Sequence, residues 1–402
     1  MMIRLIINIK NKNSVEMPLK KYAIDSDFKA MLRPITIMEM LMFQIKYKIS
    51  KNFITADSFA NNLIVLCATL LFFSFHIYGS WVTFNQLTVD GIFLSLYKKY
   101  FIVCFFWSVV DYSVLIWLTF TVNYYHSDLN IKMILKLQSV YRSDIKIDNY
   151  SEMYKITCWT YFFVSTSICI ILTTYFSIIN EEFQPIYIKQ YYIDVQLMRC
   201  IFLMILMNYQ LVSWNMVMYE IKKWNGRVLT DRSVGIIIDA YCNLLDGYNM
   251  FKIISNFIVT YYTIDTFIYS ILSIQTVIQI GKYHNQVSSI THIFFFISLG
   301  RHTYMATALT LSWILKNLLY IFILSKQCED FYRCLEASRS ICSSLVMPLR
   351  RLCKNVVRAS RVRGTAVRGC GVFAVVASLP LRLFSELANY TIVMLQFAFP
   401  AK

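Results

Sequence analysis

"IISNFIVTYYTIDTFIYSILSIQTVIQI" occupies residues 253–280, an apolar run whose one charged side chain is Asp265. A helix needs roughly 20 mainly apolar residues to cross about 30 Å of hydrocarbon, so this run predicts a membrane span. Six more candidates flank it, at 59–80, 100–123, 155–179, 195–218, 303–324 and 381–399. The run "HIFFFISL" at 292–299 is too short to span and reads as a re-entrant turn or an extension of the sixth helix. The expected fold is all-α, a polytopic membrane protein with seven transmembrane helices.

Composition agrees with that expectation. Hydrophobic residues make up 57% of the 402, and charged residues only 15%. A soluble globular chain carries about 25% charged residues, and mean hydropathy here is positive. The formal charge of +16 would suggest nucleic acid in a soluble protein. Here the basic residues alternate with apolar spans, which assigns them to topology, and no nucleic-acid partner is expected. The 11 cysteines show no metal-ligand spacing and there is no CxxC. The five histidines are scattered, so no metal site, cofactor or His-based catalytic dyad is expected. No nucleophile–base spacing marks an enzyme.

Lysine and arginine set the orientation. Segments 1–58, 124–154, 219–252 and 325–369 carry 10, 4, 5 and 10 of them. The alternate segments 81–99, 180–194, 281–302 and 400–402 carry 2, 1, 2 and 1. Positive residues stay in the cytoplasm, so the N terminus is expected inside and the C terminus outside. A G-protein-coupled receptor has the opposite orientation, and no NPxxY occurs. A secondary transporter should show repeats and paired broken helices, and the two halves share no visible similarity.

Charges inside spans mark cavities, pores or partners. Asp111, Asp265 and Lys316 are such charges, and two readings stay open: an ion pair between Asp265 and Lys316, or a solvated pocket. Aromatic residues are dense in the same spans. Trp107, Tyr112, Tyr161, Tyr261, Tyr262 and Trp313, with Asp111 and Asp265, could line a pocket for a small amphipathic molecule. Packing and interfacial anchoring use the same residue types.

In the last span, residues three and four apart share a helix face. Arg382, Glu386, Asn389, Val393 and Gln396 form a sparse polar stripe, with Tyr390, Met394 and Phe397 beside it. Such a helix could line a pore, where an apolar constriction gates and an amide contacts hydrated ions. Equally, Gln396 could make one interhelical hydrogen bond. Asn389-Tyr390-Thr391 is a formal glycosylation acceptor, but it lies within the predicted helix.

The segment from Tyr390 through Gln396-Phe397 resembles the signature of insect gustatory receptors: Thr-Tyr, five mostly hydrophobic residues, Gln-Phe. Here Asn389 stands for the first Thr. "GCGVF…SLPLRL" at 369–383 resembles the stretch before that motif in receptors of moths and butterflies, without the acidic residue usual near Val375 and Val376. "KQCEDFYRCLEASRSIC" at 326–342 and "MLRPITIMEMLMFQIKYKI" at 31–49 resemble the family's flanking segments.

The resemblance implies a ligand-gated non-selective cation channel in the plasma membrane of sensory neurons, homotetrameric or a heteromer with related receptors. Its ligand would be a small-molecule tastant, by default a bitter plant compound. Gln396, Phe397 and Val393 would form the gate, and Asn389 and Tyr390 would pack the last helix. Four regions follow: a cytoplasmic segment 1–58, helices 1–6 with the pocket at 59–324, a cytoplasmic anchor at 325–380, and the pore helix at 381–402. Pro380 would separate the last two. The run "RLCKNVVRASRVRG" at 351–364 would face solvent or membrane lipid headgroups. An odorant receptor of the same superfamily and an unrelated polytopic transporter remain alternatives.

Overall fold

The computed structural model describes residues 23–41, 46–50, 53–55, 63–71, 73–75, 77–78, 81, 94–143, 150–180, 186–223, 231–287, 293–344 and 350–398. Most of the expected first span is therefore described only in part, along a helical stretch at 63–71.

The described chain is almost entirely helical. After α1 (Ser26–Leu41) comes a small antiparallel hairpin, β1 (Lys48–Ser50) and β2 (Phe53–Thr55), with Ile49 opposite Ile54. Next are α2 (Leu94–Phe120), a π turn (Thr121–Tyr125), α3 (Ser127–Arg142) and α4 (Tyr150–Asn180). Three long helices follow: α5 (Ile186–Lys223), α6 (Asp231–Val287) and α7 (Ile293–Ser343). The apolar run at 292–299 thus joins the sixth helix as an extension of it. α8 (Arg350–Arg363), a second hairpin of β3 (Arg368–Gly369) and β4 (Phe373–Ala374), and α9 (Leu379–Ala398) complete the order. In the turn of that hairpin Gly371 has φ +78°, a backbone shape glycine adopts without strain.

Sequence periodicity explains the shorter helices. In α3, Ile131, Ile134, Leu137 and Tyr141 repeat at helical spacing and are buried, while Lys132 is exposed. α3 lies so close to α6 that a Cβ added at Gly247 would stand 3.2 Å from Leu137 Cδ2. Pro380 sits in the first turn of α9, where its missing N–H leaves no helical bond unmade.

Among the described residues, two helical stretches, Tyr191–Lys223 and Ser233–Gln275, are long and apolar enough to cross a membrane. They differ in what their apolar surface touches. In the first, 89% of the most apolar window is buried inside the protein, against 44% in the second. Phe202, Met204, Leu206, Leu211, Trp214 and Met218 are all essentially sealed by other helices. The run at 195–218 is therefore apolar all round because it is the centre of a bundle, and burial in protein accounts for it without lipid.

Polar contacts between helices fix their directions. Along α5 and α7, Asn208 Nδ2 donates to the Gln327 carbonyl at 2.8 Å and Asn215 Nδ2 to the Cys334 carbonyl at 2.9 Å. Both pairs advance by seven residues, so α5 and α7 run parallel. α6 runs against α5, because Tyr262 meets Asp194 while Ile237 meets Trp214. α4 also opposes α5, through Tyr154–Phe202 and Thr166–Tyr191. α2 opposes α6, through Trp117–Phe257 and Asp111–Tyr269. The chain from the second hairpin through α9 runs with α6, from Cys370–Asn256 to Phe267–Tyr390. From α2 to α9 the long helices alternate in direction, and α1, α3, α8 and both hairpins gather at one end.

Candidate functional site

Asp111, on α2, is 1% exposed. Its carboxylate accepts a short hydrogen bond from the Tyr261 hydroxyl and a second, at 3.3 Å, from the Tyr269 hydroxyl. Tyr261, Asp265 and Tyr269 recur every four residues along α6 and therefore share a face. Asp265, also 1% exposed, is thus placed one turn from each tyrosine. Trp313 of α7 closes the group, its ring edge-on to Tyr269 with centroids 5.8 Å apart. Tyr112 is buried beside Asp111, its ring 5.6 Å from Phe73. Trp107 precedes Asp111 by one turn, and its indole N–H is buried with no hydrogen-bond partner among the described residues.

Two expected pocket residues lie elsewhere. The Tyr262 hydroxyl faces the opposite way, 3.1 Å from both Asp194 Oδ1 and Asn317 Oδ1. Lys316 forms its ion pair with that same Asp194. Lys316 thus has an acidic partner on α5 that the sequence reading left in a loop. Adjacent residues on a helix point about 100° apart, which is why Tyr261 and Tyr262 separate. Tyr161 lies at the α4–α5 contact, 6.4 Å from Phe202, and is not part of the Asp111 group. Tyr269 is the residue that the pocket reading lacked, although its spacing from Tyr261 and Asp265 signalled it.

The last helix presents a different surface. On α9 the buried or half-buried side chains Leu379, Leu383, Leu387, Thr391 and Met394 form one stripe. Arg382, Glu386, Asn389, Val393 and Gln396 are all exposed. A second exposed stripe holds Leu381, Phe384, Ile392 and Leu395. Phe397 is 83% exposed. Tyr390 packs its ring edge-on to Phe267 of α6 at 5.8 Å. More than half of the helix circumference therefore meets none of the described residues.

A buried charge network went unnoticed in the sequence. Glu39 Oε1 stands 3.1 Å from Lys46 Nζ and 3.1 Å from Arg199 Nε. Gln196 Oε1 accepts from Lys46 at 2.7 Å, and Asn130 Oδ1 accepts from Arg199 at 2.7 Å. Burial first, then the neighbouring Arg199, pulls the Lys46 ammonium down to about 8, with Glu39 opposing. Arg199 inside an apolar run was the available signal.

Among the described residues no group of three or more His, Cys, Asp or Glu could hold a metal ion. No protein-family model matches the chain, and no curated protein matches it.

Proposed function

We propose that this chain is a chemosensory receptor of the insect gustatory type, a ligand-gated non-selective cation channel of the plasma membrane. Four copies, identical or mixed with related receptors, surround a pore lined by α9. The observation that carries the reading is the side of α9 that meets none of the described residues. A polar stripe and an apolar stripe run side by side on it, and Gln396 and Phe397, which end the Tyr390-x5-Gln396-Phe397 motif, fall on the exposed side. A helix so placed is stable when neighbours cover its apolar stripe and water meets its polar one. Phe397 is the gate residue and Gln396 its polar rim.

Seven spans with a cytoplasmic N terminus fit the alternating helix directions. Every Lys/Arg-rich segment that is described joins helices at the same end of the bundle. Arg199 meets Glu39 of the N-terminal segment, which sets that part of α5 at the same end of the bundle as α1.

The tastant occupies the Asp111 group. Two buried carboxylates and the phenols of Tyr261 and Tyr269 supply polar contacts, and Trp313 and Tyr112 supply apolar walls. The Trp107 N–H is a further donor for it. α6 carries the signal. Asp265 and Phe267 are two residues apart, so they lie on nearly opposite faces of one helix. A ligand bound on the first side favours a different α6 position only if it binds that position more tightly. Phe267 then transmits the shift to Tyr390 and the gate.

Two measurements test this. An epitope tag after Lys402 labels intact cells if the C terminus is outside. Labelling only after permeabilisation refutes the topology. Expression alone or with a related receptor gives ligand-evoked, weakly cation-selective currents. Surface-expressed protein silent to a broad panel of bitter compounds in both settings refutes the channel reading.

A further inference from the structure

The Arg-rich helix α8 is not used by the pore or the pocket. Between Glu336 and Glu386 the sequence holds nine Lys and Arg and no acidic residue. Among those whose side chains are described, Arg339 binds Glu336 and Ser360, and Arg363 pairs with Asp246. α8 buries Cys353, Val356 and Ser360 against the bundle. Its opposite face exposes Lys354, Arg358 and Arg361 on consecutive turns, and Arg368 is exposed on the hairpin beyond.

Apolar side chains stand among these cations. Val362 is 77% exposed and Val372 is 81% exposed. Lys252 Nζ donates to the Arg363 carbonyl at 2.9 Å, and the Cys370 amide donates to Asn256 Oδ1. These bonds hold the end of α8 and the hairpin against the start of the apolar run at 253–280. In the proposed topology that position is the inner surface of the membrane, and the inference rests on that topology.

We propose that this face binds anionic phospholipid headgroups of the cytoplasmic leaflet. The cations take the phosphates, and Val362 and Val372 enter the acyl boundary. A basic face with apolar residues beside it is what an interfacial surface requires. A soluble polyanion or an RNA would meet the same cations and leave both valines in water.

The test uses the full chain, purified in neutral detergent, and short-chain phosphatidylinositol bisphosphate as probe. Phosphatidylcholine of equal chain length, inositol hexakisphosphate and a homopolymeric RNA are the comparisons. The anionic lipid should bind at least tenfold tighter than each. A triple variant, R358Q/R361Q/R368Q, should bind it roughly a hundredfold more weakly, at about fivefold per cation. The V362N/V372N variant should lose lipid affinity while leaving inositol hexakisphosphate binding unchanged. All five positions are exposed, and the Lys-substituted triple variant, which keeps the charge, should retain binding. Unchanged lipid affinity in the Gln triple variant overturns the proposal, as does tighter binding of the free polyanion or RNA. Because binding is read on purified protein, a chain that binds the lipid but conducts no current refutes the channel alone.

Discussion

Replacing Glu39 by Gln removes the one carboxylate of a buried network that holds two cations, Lys46 and Arg199, each within 3.1 Å of it. Gln keeps the volume and the hydrogen-bonding oxygen, so the change is electrostatic. The two cations respond differently. Lys46, already near 8, can discharge. At pH 7 that limits its share of the loss to about 1.4 kcal/mol, the value of a single pH unit. An arginine carries its charge at any working pH, and among the described residues Arg199 would keep its bond to Asn130. Stranding one buried charge costs about 3 kcal/mol or more. The total is about 4 kcal/mol.

With an unfolding entropy of about 2.1 cal/mol/K per residue, that loss lowers the apparent Tm of a chain this long by roughly 5 °C. The assay is thermal unfolding in detergent at a fixed scan rate, because large membrane proteins unfold irreversibly. The pH dependence supplies a second, independent check. A lysine lowered in the folded state is protonated in the unfolded chain up to about 10.4. Between the two values the unfolded chain binds more protons, so stability rises with pH. In the wild type that rise begins near pH 8. Without Glu39 it begins lower, so the gap between variant and wild type narrows from pH 6 to 8. A Tm within 1 °C of wild type, or a gap that widens over that range, refutes the reasoning.

Lys46→Met leaves Glu39 paired with Arg199 and removes a desolvated ammonium, so Tm should stay level or rise; a fall comparable to that of Glu39→Gln would contradict the assigned balance. Asn215→Leu breaks the bonds to the Cys334 carbonyl and Ser338 hydroxyl; the loss should be about 1–3 kcal/mol in unfolding measurements. Phe397→Ala should raise basal leak current at equal surface expression, and an unchanged leak would remove Phe397 from the gate. Tyr269→Phe deletes a hydroxyl donated to Asp111; ligand-evoked currents should need a severalfold higher tastant concentration, with basal current unaltered.

Much of the architecture was legible from local chemistry. Runs of apolar residues gave helices: α4, α5, α6 and α7 each contain the residues of an expected span, α2 covers 100–120 of the second and α9 covers 381–398 of the last. The π turn at Thr121–Tyr125 breaks the second one near its end. The polar stripe of α9 was readable from spacing alone, because residues on one helix keep fixed angular relations. So was the shared face of Tyr261 and Asp265.

Partners across helices were not readable. Lys316 had Asp265 as its nearest acidic candidate by span, yet α5 and α7 run parallel and bring Asp194 to it. The run at 195–218 carries the hydropathy of a membrane span, and the packed bundle uses it as a core. Hydropathy measures how much a segment avoids water and is silent on whether lipid or protein replaces that water. The sequence by itself determined that helices form and which residues share a face. Only the tertiary structure decided what each face meets: Arg199 with Glu39, Asp111 with two tyrosines from another helix, and the exposed side of α9 with none of the described residues. That division has a physical cause, since helical faces follow from bonds four residues apart, whereas contacts such as Lys46–Gln196 join residues 150 apart and depend on how every intervening helix packs.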